Sequence, residues 1–210
     1  MAQSATKGRA DERRAAKWIS LEKEFEESAR EFEILKQYIS LLPEGGQKLV
    51  WKHLERDYLT GAFNYGKLMR YGKDMEKILD NHDVSNLSLL MIDIDKFAKY
   101  NNDFGHERGN DVLRKVPKTI SLELRKYDHL FRYGGEEFVV TLPGSTLNEG
   151  RNVAERIRRG IERESFYGRN VTVSIGVENQ NKMPLDMGNL IMGADLKVYE
   201  AKANGRNQVR

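Results

Sequence analysis

The chain has 210 residues, with 35 Lys and Arg against 32 Asp and Glu, and no cysteine. A net charge of +3 is too even to announce a nucleic-acid binder, and without thiols any metal must be held by oxygen or histidine. No segment reads as a signal peptide and no apolar run approaches the ~18 residues of a membrane span, so a cytoplasmic protein of one domain plus an appendage is expected.

Residues 1–14, "MAQSATKGRADERR", are polar and expected to be a disordered tail. From Trp18 a stripe appears: Trp18, Leu21, Phe25, Ser28, Phe32, Leu35, Ile39 and Leu42 alternate in steps of three and four. This heptad pattern, polar only at Ser28, predicts a helix that either docks on its own domain or forms a parallel coiled coil between two copies; the regular alternation favours the coil. "PEGG" (43–46) reads as a helix stop, followed by a short helix in "QKLVWKHLERDYL". Residues 15–54 are therefore assigned to a helical dimerisation or signalling segment, and 55–210 to the main domain.

After "LTGAFN" (59–64), "YGKLMRYGKDMEKILDNH" reads as helix and "LSLLMIDID" (87–95) as a buried strand ending in carboxylates. "GNDVLRKVPKTISLELRKY" is helical, with Pro117 expected to kink or restart it. "HLFRY" and "EEFVVTL" flank Gly134 and Gly135, which predicts a hairpin with a two-residue turn at positive φ. "TLNEGRNVAERIRRGIERE" is a helix with Val153, Ile157 and Ile161 on one face; "NVTVSIGVE" alternates as a strand; "MGNLIMGADLKVYEAKANG" is a last long helix, and "NQV" a closing strand. Interleaved helices and strands with one antiparallel hairpin imply an α/β domain, a mixed sheet flanked by helices.

Asp93 and Asp95 share a strand face, and acids ending an apolar strand are costly unless a positive group meets them. If the hairpin lies beside this strand, Glu136 comes level with Asp93. Two carboxylates and a backbone carbonyl would then suit Mg2+, which also takes substrate phosphates. Pairing with nearby Lys or Arg is the simpler account of any one of these acids.

Six blocks occur in order: "LTGAFN", "MIDIDKFAKYNNDFGHERGN", "RKYDHLFRYGGEEF", "AERIR", "VTVSIGV" and "ADLKVYEAKANGRN". Together they closely resemble the GGDEF family, the diguanylate cyclases, in a GGEEF variant, over roughly residues 55–210. The resemblance implies a palm-like nucleotide cyclase fold and condensation of two GTP into cyclic di-GMP with release of pyrophosphate, in a homodimer that uses Mg2+ or Mn2+. It places the metal ligands on Asp93, the Ile94 carbonyl and Glu136, and the acid near the ribose 3′-hydroxyl on Glu137. Backbone N–H groups around Lys96 and Phe97, with Lys202 and Arg206 expected on one helix face, match the triphosphate contacts. Gly134 and Gly135 leave room for the nucleotide, and Asn101 matches a reader of the guanine edge. Arg125 and Asp128 of "RKYD", with Arg156 of "AERIR", match an inhibitory product site.

Three positions depart from the family pattern. Ala98 stands where Lys is usual, Tyr65 replaces an Arg, and Asn110 replaces the Asp that accepts hydrogen bonds from guanine. The last opens an alternative, a hybrid enzyme making cyclic AMP-GMP from ATP and GTP. A second alternative, an inactive cyclic di-GMP receptor, is opposed by the presence of Asp93, Glu136, Glu137, Lys202 and Arg206.

Overall fold

The computed structural model describes residues 33–81, 86–181 and 185–210. The stripe from Trp18 to Phe32 and the polar tail lie outside the described residues. The chain divides between Leu54 and Glu55 into two compact units.

In the first unit, residues 33–40 form helix α1 and Glu44–Leu54 form α2. "PEGG" does not simply end a helix; it opens the second one. Pro43, with no N–H to satisfy, sits just before the first turn, where that loss costs nothing. The Pro43 carbonyl accepts from Gln47 N at 3.0 Å, and Gln47 Nε2 donates back to the Leu42 carbonyl at 2.8 Å. Of the stripe, Leu35 is exposed and Ile39 buried, while Leu42 has passed into the turn beyond α1. Ile34 and Tyr38 add exposed apolar surface to α1.

The second unit is built on a four-stranded sheet in the order β2-β3-β1-β6. The strands are β1 (Leu87–Ile94), β2 (His129–Arg132), β3 (Glu137–Pro143) and β6 (Val173–Gln180). Every ladder in it is antiparallel; among the described residues parallel pairing enters at two single bridges, Phe63 with Phe131 and Ile175 with Val209. The second bridge is the expected closing strand: Ile175 N donates to the Gln208 carbonyl and Val177 N to that of Arg210. A separate two-stranded hairpin, β4 (Ser165–Phe166) and β5 (Arg169–Asn170), takes the start of the segment that the sequence reads as one strand.

β1 is buried at all eight positions because both sheet faces are covered. Leu90, Ile92 and Ile94 join Phe138, Val140, Val173, Ile175 and Val177 in a core with Val116 and Ile120 of α5 (His106–Leu122) and Ile157 and Ile161 of α6 (Leu147–Arg163). Each such fully buried aliphatic side chain contributes about 1.5–3 kcal/mol. α6 starts cleanly because Thr146 and Glu149 form a capping box. α5 continues through Pro117, so the helix does not restart there.

The other face carries Leu89, Met91 and Asp93. It is covered by α3 (Tyr65–Asn81), which packs on β2, and by α7 (Met187–Ala203), which packs on β6 and β1. α7 lies close to the sheet because β6 has Gly176 beneath it. A Cβ there would stand 1.9 Å from the Ala194 carbonyl oxygen, so any side chain would push the helix away. Besides the β4–β5 hairpin, the sequence reading missed α4 (Phe97–Phe104), a helix of 8 residues directly after β1.

Candidate active site

The register of β1 against β3 puts Glu137, not Glu136, directly across from Asp93. Glu136 lies one step further along and accepts from Ile94 N through its backbone carbonyl at 3.3 Å. Asp93 is 5% exposed. Its Oδ2 meets Lys202 Nζ of α7 at 2.6 Å, while its Oδ1 is buried with no hydrogen-bond partner. The Asp93 carboxyl is raised to about 6: burial pushes it up most, Lys202 pulls it down, and the charges of Glu137 and Glu136 push it up. The simple pairing of an acid with a lysine is therefore present, yet it satisfies only one of the two oxygens.

Asp95 is different. Its Oδ1 accepts from Ser174 Oγ at 2.7 Å, and its Oδ2 from Thr172 Oγ1 at 2.8 Å and Asn207 N at 3.0 Å. Both oxygens are engaged, so Asp95 serves structure beside the carboxylate site.

The hairpin turn spans 133–136, and neither Gly134 nor Gly135 adopts a positive φ, correcting the expected two-residue turn. Tyr133 N and Gly134 N both donate to the Glu137 carbonyl. What Gly134 supplies is space: a Cβ on it would come within 2.4 Å of Glu137 Oε2. The turn is held by Arg132, a residue that no motif flagged. Its Nε donates to the Gly134 carbonyl at 3.1 Å, Nη2 to the Gly135 carbonyl at 2.7 Å, and Nη1 to Asp57 Oδ1 at 2.9 Å. Tyr65, at the start of α3, packs its ring edge-on to Tyr133 at 5.4 Å.

Beyond β1, Lys96 takes a left-handed conformation (φ 56°) and begins α4 without a side-chain cap. The first-turn N–H groups of Phe97 and Ala98 are thus presented at a helix N-terminus, a suitable place for phosphate. Lys96, Phe97 and Arg206 line one cavity of about 320 Å3, together with Tyr100 and Arg169. Arg206 is not on the face of α7 with Lys202, as the i,i+4 spacing suggests. α7 ends at Ala203, and Arg206 follows it at φ 67°.

Asn101 of α4 packs against Gly109 of α5, the residue before Asn110. The Asn101 Oδ1 is buried without a partner, and a Cβ on Gly109 would stand 1.8 Å from it.

Among the described residues no three His, Cys, Asp or Glu side chains converge as a metal cluster. Two carboxylates and the Ile94 carbonyl are the set available, and the orphaned Asp93 Oδ1 is the atom that a cation would satisfy. Hard oxygen donors completed by substrate phosphates and water fit Mg2+.

Arg125 and Asp128 line a second cavity, of about 510 Å3. Within it Asp128 Oδ2 accepts from Arg125 N at 2.7 Å, so the acid closes its own turn. Arg156 does not line this cavity; its Nε donates to Glu123 Oε2 at 2.8 Å.

Asp93 and Glu137 at a glycine hairpin, with a cavity of about 320 Å3 lined by Lys96, Arg169 and Arg206 beside them, form the candidate site on an antiparallel sheet. Residues 55–208 match the family described as diguanylate cyclase, GGDEF domain, and the chain belongs to it. It is 36% identical to diguanylate cyclase DosC of Escherichia coli over 178 residues, covering 82% of this chain and 38% of that one. The chain spans about a third of the length of the curated relatives it matches. Among solved structures it resembles the diguanylate cyclase SiaD of Pseudomonas aeruginosa in complex with its activator SiaC. That match has a TM-score of 0.70 and 28% identity, and covers 91% of this chain and 76% of the other. It also resembles the GGDEF domain of DgcB from Caulobacter crescentus in complex with c-di-GMP, with a TM-score of 0.66 and 27% identity, covering 74% and 94%.

Proposed function

We propose that the protein condenses two GTP into cyclic di-GMP, releasing two pyrophosphates, from a homodimer in which each subunit holds one nucleotide. The observation that carries this reading is the buried Asp93 opposite Glu137, with one oxygen on Lys202 and the other unsatisfied. Asp93, Glu136 and the Ile94 carbonyl would hold Mg2+ or Mn2+. That ion would neutralise phosphate charge and lower the pKa of the attacking hydroxyl.

The remaining work falls to the chain itself. The open N-terminus of α4 and Arg206 receive the β- and γ-phosphates, and Lys202 balances charge between them and Asp93. Glu137, fitted against the bare backbone of Gly134, is the acid placed to take the proton of the ribose 3′-hydroxyl. The 3′-oxygen of one nucleotide bonds to the α-phosphorus of the other as the bond to the pyrophosphate oxygen breaks. Holding both nucleotides in that alignment supplies much of the rate. Exposed Leu35 of the apolar stripe, flanked on α1 by exposed Ile34 and Tyr38, supports a partner helix from a second copy. Arg125 and Asp128 give a place for the product to bind and inhibit; Arg156, paired with Glu123 outside that cavity, would join it only by leaving that acid.

A second reading concerns the base. Asn101 offers an unsatisfied buried oxygen as an acceptor for guanine. Asn110 adds one acceptor and one donor where a carboxylate would accept twice, which relaxes guanine preference and admits ATP. The test is incubation with Mg2+ and equal GTP and ATP, with products identified by mass spectrometry. Cyclic di-GMP as the main product supports the proposal; cyclic AMP-GMP as the main product replaces it with the hybrid reading. No cyclic dinucleotide leaves the receptor reading.

A further inference from the structure

The turn after α7 is held in a conformation that side chains avoid. Gly205, Arg206 and Asn207 follow one another at φ 109°, 67° and 47°. For a residue with a side chain the left-handed region is unfavourable, so two in succession persist only where neighbours over-determine them. Here the neighbours are visible on both sides. Towards the helix, Arg206 N donates to the Ala201 carbonyl at 2.9 Å. Towards the sheet, every polar group of Asn207 outside its carbonyl is engaged. Its N donates to Asp95 Oδ2 at 3.0 Å, its Oδ1 accepts from Arg158 Nη1 at 2.8 Å, and its Nδ2 donates to Glu162 Oε1 at 2.6 Å.

Each of these partners is itself fixed. Asp95 is pinned by Ser174 and Thr172 of the β6 segment. Arg158, with a side chain only 12% exposed, is braced by Glu155 and Glu162 on its own helix. Arg206 itself has no ion-pair partner among the described residues, and it lines the cavity with Lys96 and Phe97. A free cation on a rigid backbone, aimed at an anion cavity, is what a preorganised phosphate contact requires.

We propose that Asn207 and Asp95, backed by Arg158, are positioning residues that hold Arg206 ready for the β- and γ-phosphates of the nucleotide. This rests on the reading of Arg206 as a triphosphate contact. It gives Asp95 a task separate from that of Asp93 two residues earlier. One strand end thus sets both the carboxylate that faces the reacting centre and, through Asn207, the cation at the far end of the triphosphate.

The test uses the full chain with Mg2+ and two probes in calorimetric titration. The first is 3′-deoxy-GTP, which has no attacking hydroxyl and so does not turn over. The second is GMP, which lacks the β- and γ-phosphates. Arg206→Ala is expected to weaken 3′-deoxy-GTP by about tenfold, and Asn207→Ala by a similar factor, with GMP changed by less than about twofold in both. In the Arg206→Ala background, Asn207→Ala should add less than about twofold, because the group it positions is gone. Asn207→Gly accepts positive φ without cost, so it should lose less than Asn207→Ala, and it takes over the cycle if the alanine variant does not melt cooperatively. Losses that multiply in the double variant, or an equal loss for GMP, overturn the positioning role. If Arg206→Ala alone leaves 3′-deoxy-GTP affinity unchanged, the triphosphate role of Arg206 fails and the clamp with it. If Arg206→Ala weakens binding but neither Asn207 variant does, only the clamp fails.

Discussion

Replacing Asp93 by Asn should abolish turnover and, in metal-free buffer, make the protein more stable. The carboxylate is 5% exposed, faces Glu137 across the ladder, and is satisfied on one oxygen only. Its rise from 3.8 to about 6 is dominated by burial and corresponds to about 3 kcal/mol of penalty on the charged form at neutral pH. Because the folded pKa is raised, the folded chain binds more protons than the unfolded one between those values. Stability therefore falls as pH rises from about 4 to about 6 and stays low above. Asparagine keeps the shape and removes the charge, and the lost attraction of Lys202 is already contained in that net shift. The gain is about 3 kcal/mol, a rise in melting temperature of about 6–12 °C for a chain of this length. The assay is thermal unfolding at pH 7.5 with chelator and then with Mg2+, beside cyclic dinucleotide formation. Mg2+ should raise the melting point of the wild type and leave Asp93→Asn unmoved. A variant that melts below the wild type without metal, responds equally to Mg2+, or turns over at a near-normal rate would refute the reasoning.

Deleting residues 1–46 should weaken dimerisation and lower turnover at dilute enzyme, with recovery at high concentration; sedimentation and rate measured across a dilution series check it, and a truncated chain with unchanged activity at every concentration refutes the coil. Arg125→Ala should relieve inhibition by cyclic di-GMP without lowering the initial rate, measured by adding product at the start of the reaction; a wild type that its product does not inhibit would leave "RKYD" as a turn alone. His129 lies among the rings of Tyr71, Phe63 and Phe131, and burial holds its pKa below the ordinary 6.5. The folded state resists its protonation, so stability is full above 6.5 and drops as pH falls below that value. His129→Phe should lose less stability than the wild type between pH 7.5 and 5.5, as followed by urea unfolding, and an equal loss in both would contradict this.

The parts of the fold that sequence shows are those whose signal is local. β1 reads as a strand because all eight of its positions are buried, and α6 because Val153, Ile157 and Ile161 recur on one face. α4 was hidden because its 8 residues mix aromatic and polar side chains and sit inside a motif read for its chemistry. The glycine turn was legible as a turn but not in its conformation, because Arg132 and Asp57, 75 residues apart in sequence, hold it. Asp93 and Asp95 look equivalent in "DID". Only the arrival of Lys202 at one, and of Thr172, Ser174 and Asn207 at the other, separates a site carboxylate from a structural one. Spacing alone puts Arg206 on a helix that in fact ends at Ala203.

The central claim is tested most directly by following pyrophosphate and cyclic di-GMP together as the purified chain consumes GTP with Mg2+. The account predicts two pyrophosphates per cyclic di-GMP, with neither product formed by Glu136→Gln. Release of inorganic phosphate with GDP, or GTP left unconsumed by the wild type, would contradict it.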